Sequence, residues 1–268
     1  MYKGKRVAVV MPAYNEEKFI ARVLTTIPPF VDKIYAVSDG STDRTLEIAQ
    51  SIAEQNSKIM VINRKERGGI GAAVTMGHER ALADGMDVIA VMAGDGEMDP
   101  AFLDKILDPV VEGRADYAKG DRFSMAGHKN GISAWRIIGI FLLTYLTRIA
   151  SGYWHISDPQ HGYTAISRET LGKLPLDKLY KGYAFENDML VNLNVINARV
   201  VDIPMPMPAS ATASKKYSKI RYRSFIVKTS WLLLKDFVWR VGVRYMKQPS
   251  NKALAVGEKA HNKSEQIL

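Results

Sequence analysis

Short apolar runs alternate with helically spaced segments along the first two-fifths of the chain. Residues 5–11 (KRVAVVM) form a continuous, largely β-branched run, the pattern of a strand buried on both faces of a parallel sheet, and Pro12 is expected to end it. Asn15 then reads as the N-cap of a helix over NEEKFIARVLTTI, with Glu16 and Glu17 in its first turn. The cycle repeats with a strand at 33–37 (KIYAV), a turn at 39–43 (DGSTD), a helix at 45–53, a strand at 58–62 and a helix at 71–84. A fourth strand, 88–92 (VIAVM), leads into VMAGDGEMDP and the helix PAFLDKIL. This alternation predicts an α/β doubly wound parallel sheet, in which ligands bind at the carboxyl ends of the strands.

After Gly120 the pattern changes. Residues 131–154 are rich in large apolar and aromatic side chains, but the longest charge-free stretch, 137–147, is far short of the roughly 20 residues needed to span a bilayer. In 225–246 the charged residues Lys228, Lys235, Asp236, Arg240 and Arg244 fall mainly on one side of a helical wheel. Apolar residues with tryptophans on the other side fit a helix lying in a membrane interface, the alternative being an ordinary amphipathic helix packed on the sheet. The polar tail 248–268 is expected to be disordered. No internal repeat is present.

Composition narrows this picture. At 268 residues the chain can bury one large core, and 47% hydrophobic with 24% charged residues excludes wholesale disorder. Lys and Arg outnumber Asp and Glu 37 to 28, a net charge of +9, which favours an anionic partner: nucleic acid, phosphorylated metabolite or anionic lipid. The absence of cysteine excludes disulfides and thiolate metal sites, and suits a reducing compartment. The beginning, MYKGKRVAVVMPAYNEE, runs from basic residues into a short strand without a long apolar h-region, so a cytoplasmic location is expected.

Four loops follow strand ends and should meet in one crevice: MPAYNE (11–16), SDGSTD (38–43), RKERGGIGAA (64–73) and AGDGEMD (93–99). RGGIGAA before a helix offers close backbone approach and phosphate-binding N–H groups, although neither a Walker loop nor a GxGxxG after the first strand is present. Histidines cluster nowhere at zinc spacing. Carboxylates remain, hard oxygen ligands suited to Mg2+ or Mn2+ holding a diphosphate. Grouped at strand ends they would repel nucleic acid, and no aromatic-basic nucleic-acid motif is present.

MPAYNE, SDGSTD, GGIGAA, the acidic motif, GDRF (120–123) and DPQHGY (158–163), in this order and spacing, resemble the family 2 glycosyltransferases of GT-A fold. The apolar segment before DPQHGY and the Lys-rich stretch before the last helix make the chain most similar to polyprenyl-phosphate sugar synthases of the dolichyl-phosphate mannosyltransferase type. The resemblance implies a Rossmann-like mixed sheet over a catalytic domain at 1–224, with 131–154 as its acceptor- or membrane-facing segment. C-terminal amphipathic interfacial helices complete the implied architecture, the last at 225–247. It places Pro12, Tyr14, Glu16, Asp39 and Gly71 at the nucleotide sugar, and Asp95 and Glu97 at the metal. Here the metal motif departs from the family's D-x-D-x-Q, with Ala93 at the first acid and Glu97 at the Gln. Asp99 lies outside the motif and reads as the cap of the helix that Pro100 starts. Arg122 is implied to grip phosphate. Asp158 and Asp188, the latter paired with Glu186, are implied to stand near the acceptor, with Gly162 turning the chain beside the sugar. Lys215, Lys216 and Lys219 match a basic loop that closes over phosphates.

The implied reaction is inverting transfer of a sugar from a nucleotide diphosphate to polyprenyl phosphate at the cytoplasmic face of a membrane. Two alternatives stay open: a hydroxyl acceptor on a cell-surface glycan, for which Asp158 or Asp188 would serve as base, and a non-enzymatic basic membrane or nucleic-acid binding protein.

Overall fold

The computed structural model describes residues 1–123, 134–206 and 222–247. Lys215, Lys216, Lys219 and the tail 248–268 lie outside the described residues. The strands are β1 (Val7–Ala13), β2 (Lys33–Asp39), β3 (Ile59–Arg64), β4 (Val88–Val91), β5 (Tyr117–Asp121), β6 (Thr164–Ser167) and β7 (Val200–Pro204). The helices are α1 (Ile20–Thr26), α2 (Thr45–Gln55), α3 (Ile70–Ala83), α4 (Leu103–Val111), α5 (Ala134–Ser151), α6 (Arg168–Leu171), α7 (Phe185–Val195) and α8 (Tyr222–Lys247).

The strands form one sheet in the order β3-β2-β1-β4-β6-β5-β7. β1 to β4 are mutually parallel, as the alternating pattern predicts, whereas β6 runs antiparallel to both β4 and β5, making the sheet mixed. Every residue of β1 is buried, as a central strand covered on both faces requires. Val7, Val9 and Met11 face α1, α2 and α4, while Ala8 and Val10 face α3 and α7. Gly77 of α3 sits on Val10, where a Cβ would come within 2.3 Å of Val10 Cγ1, so the small residue brings this helix close to the sheet.

Two local expectations are corrected. Pro12 does not end β1: it pairs with Val37, and its carbonyl accepts the Gly94 N–H at 3.0 Å on the side where β4 has already stopped. Its missing N–H therefore costs no ladder bond. Asn15 is not a helix cap. α1 begins only at Ile20, and Asn15 takes φ 56°, a conformation asparagine tolerates, to bond Thr42 instead.

α8 packs on α5 and α7 through a small cluster of Ala150, Val191 and Leu233. The expected wheel is also corrected. Arg240 and Arg244 bond neighbouring helix ends: half-buried Arg240 donates to the carbonyls of Ile149 (3.0 Å) and Ala150 (2.6 Å) in the last turn of α5, and the more exposed Arg244 to that of Asn194 (3.1 Å) in α7. Cations there complement the unsatisfied carbonyls and negative ends of both helices. Trp231, Leu234, Val238 and Trp239 point outward beside Lys228 and Lys235, and Phe141, Leu142 and Tyr145 of α5 are exposed as well. Among the described residues no helix is long and apolar enough to cross a membrane.

Candidate functional site

The loops after β1 and β2 interlock residue by residue. Asn15 Oδ1 accepts the Thr42 N–H at 2.8 Å, the Glu16 N–H bonds Thr45 Oγ1 at 2.7 Å, and the Glu17 N–H bonds Asp43 Oδ2 at 3.2 Å. Asp39, buried at the end of β2, accepts the N–H groups of Gly68 and Gly69 at 2.8 Å each, and Arg64 Nε lies 3.0 Å from it. The Arg67 guanidinium stacks 4.0 Å above the Tyr14 ring. Pro12, Tyr14, Glu16 and Asp39 are thus gathered at the carboxyl ends of β1 and β2, with two arginines that the sequence reading left unassigned. Their signal was their position just ahead of Gly68–Gly69. Gly71 has a packing reason to be small: a Cβ there would stand 2.3 Å from the Tyr180 carbonyl oxygen and 2.7 Å from the Phe185 ring.

Beyond β4 the chain continues beside β1, through Met92 N–H to Val10 O and Gly94 N–H to Pro12 O, both 3.0 Å. This carries the half-buried Ala93 and Asp95 into the crevice. Asp95 Oδ1 accepts the Glu97 N–H at 3.0 Å around Gly96. Gly96 has φ 73°, a conformation that strains any other side chain, and Arg22 Nη2 would lie 2.6 Å from a Cβ placed there. Asp99 accepts the Ala101 N–H at 2.9 Å and caps the short 3-10 turn Pro100–Phe102, the structural role its sequence context indicates. A groove of about 780 Å³ opens beside this turn, lined by Arg22, Glu97, Met98, His161 and Tyr163 among others.

Across the groove, charges are buried. Asp158 grips Arg122 with both oxygens, at 2.7 Å to Nε and 3.0 Å to Nη2, a bidentate pair whose planar geometry only arginine supplies. Burial alone would push the Asp158 carboxyl up, but the facing guanidinium outweighs it and holds the group down at about 2. Lys119, completely buried in β5, donates to the Asp158 carbonyl. His161 Nδ1 accepts the Tyr163 N–H at 3.1 Å, which puts the ring proton on Nε2, and burial with the nearby Arg122 pushes this imidazole down to about 3. Glu186 Oε1 would stand 3.3 Å from a Cβ at Gly162, and Met98 Cε 3.4 Å, so Gly162 lets the two loops meet. Burial pushes Glu186 up to about 7.

Asp188 is not available in the same way. Its oxygens accept the Tyr180 N–H at 2.7 Å and the Asn192 amide at 2.9 Å inside the fold. Two residues apart on a helix lie about 200° apart, so only one of the Glu186/Asp188 pair can face the crevice. The sequence reading missed Lys119, which sits just outside the motif GDRF, and His161, which carries no metal-ligand spacing.

The donor set at Asp95 and Glu97 suits a hard divalent cation. Among the described residues no three Asp, Glu or His groups converge into an all-protein cage, so two carboxylates would share the ion with phosphate oxygens and water, the mode Mg2+ favours.

Comparison with known proteins agrees with this geometry. The sequence profile of the family described as Glycosyl transferase family 2 matches residues 8–174. The UDP-N-acetylglucosamine–dolichyl-phosphate N-acetylglucosaminyltransferase of Methanococcus voltae is 25% identical over 214 residues, covering 75% of this chain and 85% of that protein. The polyprenol monophosphomannose synthase of Mycolicibacterium smegmatis is 28% identical over 84% of this chain and 86% of its own, and the undecaprenyl-phosphate mannosyltransferase of Micrococcus luteus 28% over 80% and 88%. Mycobacterium tuberculosis glucosyl-3-phosphoglycerate synthase, solved with Mn2+, UDP-glucose and phosphoglyceric acid, superposes with a TM-score of 0.65 over 89% of this chain and 80% of that one. At 22% identity that likeness shows the GT-A fold alone. The chain belongs to glycosyl transferase family 2.

Proposed function

We propose that this family 2 glycosyltransferase moves a sugar from a nucleotide-diphosphate donor, GDP- or UDP-linked, to the phosphate of a polyprenyl carrier, with inversion at the anomeric carbon. The observation that carries the lipid acceptor is the outward apolar surface of α5 and α8, where Phe141 (65% exposed), Trp231 (64%) and Val238 (63%) stand in solvent beside Lys228 and Lys235. Such a surface seats a soluble catalytic domain on the cytoplasmic face of an anionic membrane. The names of the relatives, which include dolichyl, polyprenol and undecaprenyl phosphate, support the same reading.

In this reading Tyr14, Asp39 and the neighbouring arginines receive the nucleotide. Asp95 and Glu97 hold a divalent cation, Mg2+ or Mn2+, whose charge when bound neutralises the leaving diphosphate. Arg122, fixed by Asp158, binds the acceptor phosphate and offsets its repulsion by the donor. A lipid phosphate is already an anion at neutral pH, so it attacks without a general base. A second reading, transfer to a hydroxyl, draws on Glu186. Its carboxyl, raised to about 7, is poised as a base in a way that Asp158, held near 2, is not.

The test is sugar transfer by the purified chain with Mn2+ and a panel of nucleotide sugars, using undecaprenyl phosphate or hydroxyl glycans as acceptor. Labelled lipid, with Glu186→Gln leaving the rate within about threefold, supports the first reading. Labelled glycan only, abolished in Glu186→Gln, supports the second.

A further inference from the structure

Lys119 is the one lysine among the described residues with no exposed surface, and it lies mid-strand in a sheet where any apolar residue would pack. Lysine is almost never fully buried unless it is paired, and burial here pushes its ammonium below the ordinary lysine value. No carboxylate lies within ion-pair distance of it among the described residues. Its partners are main-chain oxygens, those of Asp158 and of Gly120 (3.4 Å).

The register explains what this arrangement holds. Lys119 of β5 is paired with Asp202 of β7, and Asp202 Oδ2 accepts the Ser157 N–H at 2.6 Å. Residues 157 and 158 are therefore gripped from the sheet on both sides of the peptide that joins them, the Asp158 carbonyl by a cation and the Ser157 N–H by a carboxylate. From the other side Arg122 takes both oxygens of Asp158, using Nε and one N–H of Nη2. Nη1 of Arg122 has no partner among the described residues. The order of dependence is then Lys119 and Asp202 to the 157–158 backbone, that backbone to the Asp158 carboxylate, and the carboxylate to the plane of the guanidinium.

We infer that Lys119 is a positioning residue for acceptor binding, acting through Asp158 to aim the free edge of Arg122. The inference deepens the acceptor reading and rests on it. A cation that only stabilised the fold would be a poor choice at this position, because burying an ammonium carries a desolvation cost that an apolar residue of similar volume would not.

Kinetics on the full chain test this. In Lys119→Met the melting temperature is expected to hold or rise, the KM for undecaprenyl phosphate to rise about tenfold, and the KM for the nucleotide sugar to stay within twofold. In the Arg122→Ala background the same change is expected to add less than twofold, since the residue it acts through is gone. A multiplicative effect in that background, equal losses for donor and acceptor, or unchanged acceptor kinetics would each overturn the inference. Should Lys119→Met be recovered unfolded, Asp202→Asn carries the test. It keeps an acceptor for the Ser157 N–H but removes the charge beside Lys119, and a selective acceptor effect of about threefold supports the inference while a parallel donor effect refutes it. If the wild type uses only a hydroxyl acceptor, the lipid reading fails, and the same cycle run on that acceptor decides the positioning role separately.

Discussion

Around β1, β2 and β4 the apolar side chains lie inside and the polar loops stand at the rim, tied to one another by hydrogen bonds such as Asn15 to Thr42 and Asp39 to Gly68 and Gly69. Around β5, β7, α5 and α8 the arrangement is reversed, with Lys119, Asp158 and Asp188 buried and tryptophans, leucine and valines of α8 in solvent. At the rim of the first region backbone N–H groups are met by short side chains, and the buried Asp39 is matched by two N–H groups and Arg64. In the second, Asp158 is paired with Arg122, and large apolar residues of α5 and α8 stand exposed. In the proposed function, the contrast divides the work between a donor platform and an acceptor side.

The largest expected effect breaks the donor half alone. Asp95→Ala should cut transfer by on the order of 10³-fold, since it removes charge stabilisation of the leaving group. Calorimetry should show Mn2+-dependent nucleotide-sugar binding lost while vesicle binding persists.

Arg122→Ala should strike the acceptor half. About 100-fold in acceptor kcat/KM is expected, together with a lower melting temperature, because Asp158 becomes a buried carboxylate without its partner. The acid range sharpens this. Asp158 at about 2 lies below the ordinary carboxylate value, so it contributes stability that is present above pH 4 and lost as pH falls through 2. The variant should lose that contribution, flattening the fall of the melting temperature between pH 4 and 2.

Next in size, the triple change Trp231→Ser, Leu234→Ser and Val238→Ser should weaken binding to phosphatidylglycerol vesicles by about tenfold or more. The melting temperature should stay within about 2 °C, because these side chains bury little in the fold. An unchanged vesicle affinity would remove the membrane from the comparison.

The smallest effect concerns Asp236. Its Oδ2 is buried without a partner among the described residues, and burial with the charge of Asp188 pushes it up to about 7. A folded-state value above the unfolded one costs stability that begins near pH 4 and is complete above 7. Asp236→Asn should therefore raise the melting temperature by about 2 °C at pH 8 and by nothing at pH 4, as read by calorimetry.

Much of the donor half was legible because its signals are local. Residues 33–37, 58–62 and 88–92 lie within or close to the observed strands, since short β-branched and apolar runs between turns mark strands locally. Asp99 before Pro100 is a cap whatever surrounds it. The start of α1 was misplaced because Asn15 had two uses, and a partner from another loop, Thr42, took it. Arg240 and Arg244 were misread for a related reason: a helical wheel shows that cations share a side, but whether that side meets water or the carbonyl ends of α5 and α7 depends on where those helices stop.

The sequence by itself determined the alternation of strands and helices, the four loops at strand ends and the family they resemble, because period, turn chemistry and motif spacing act over a few residues. Only the tertiary structure decided that Glu186 rather than Asp188 faces the crevice, that Lys119 is buried, and that Asp158 is spent on Arg122. Burial and pairing of charges depend on groups brought together from distant parts of the chain, and no local pattern records which partner each one finds.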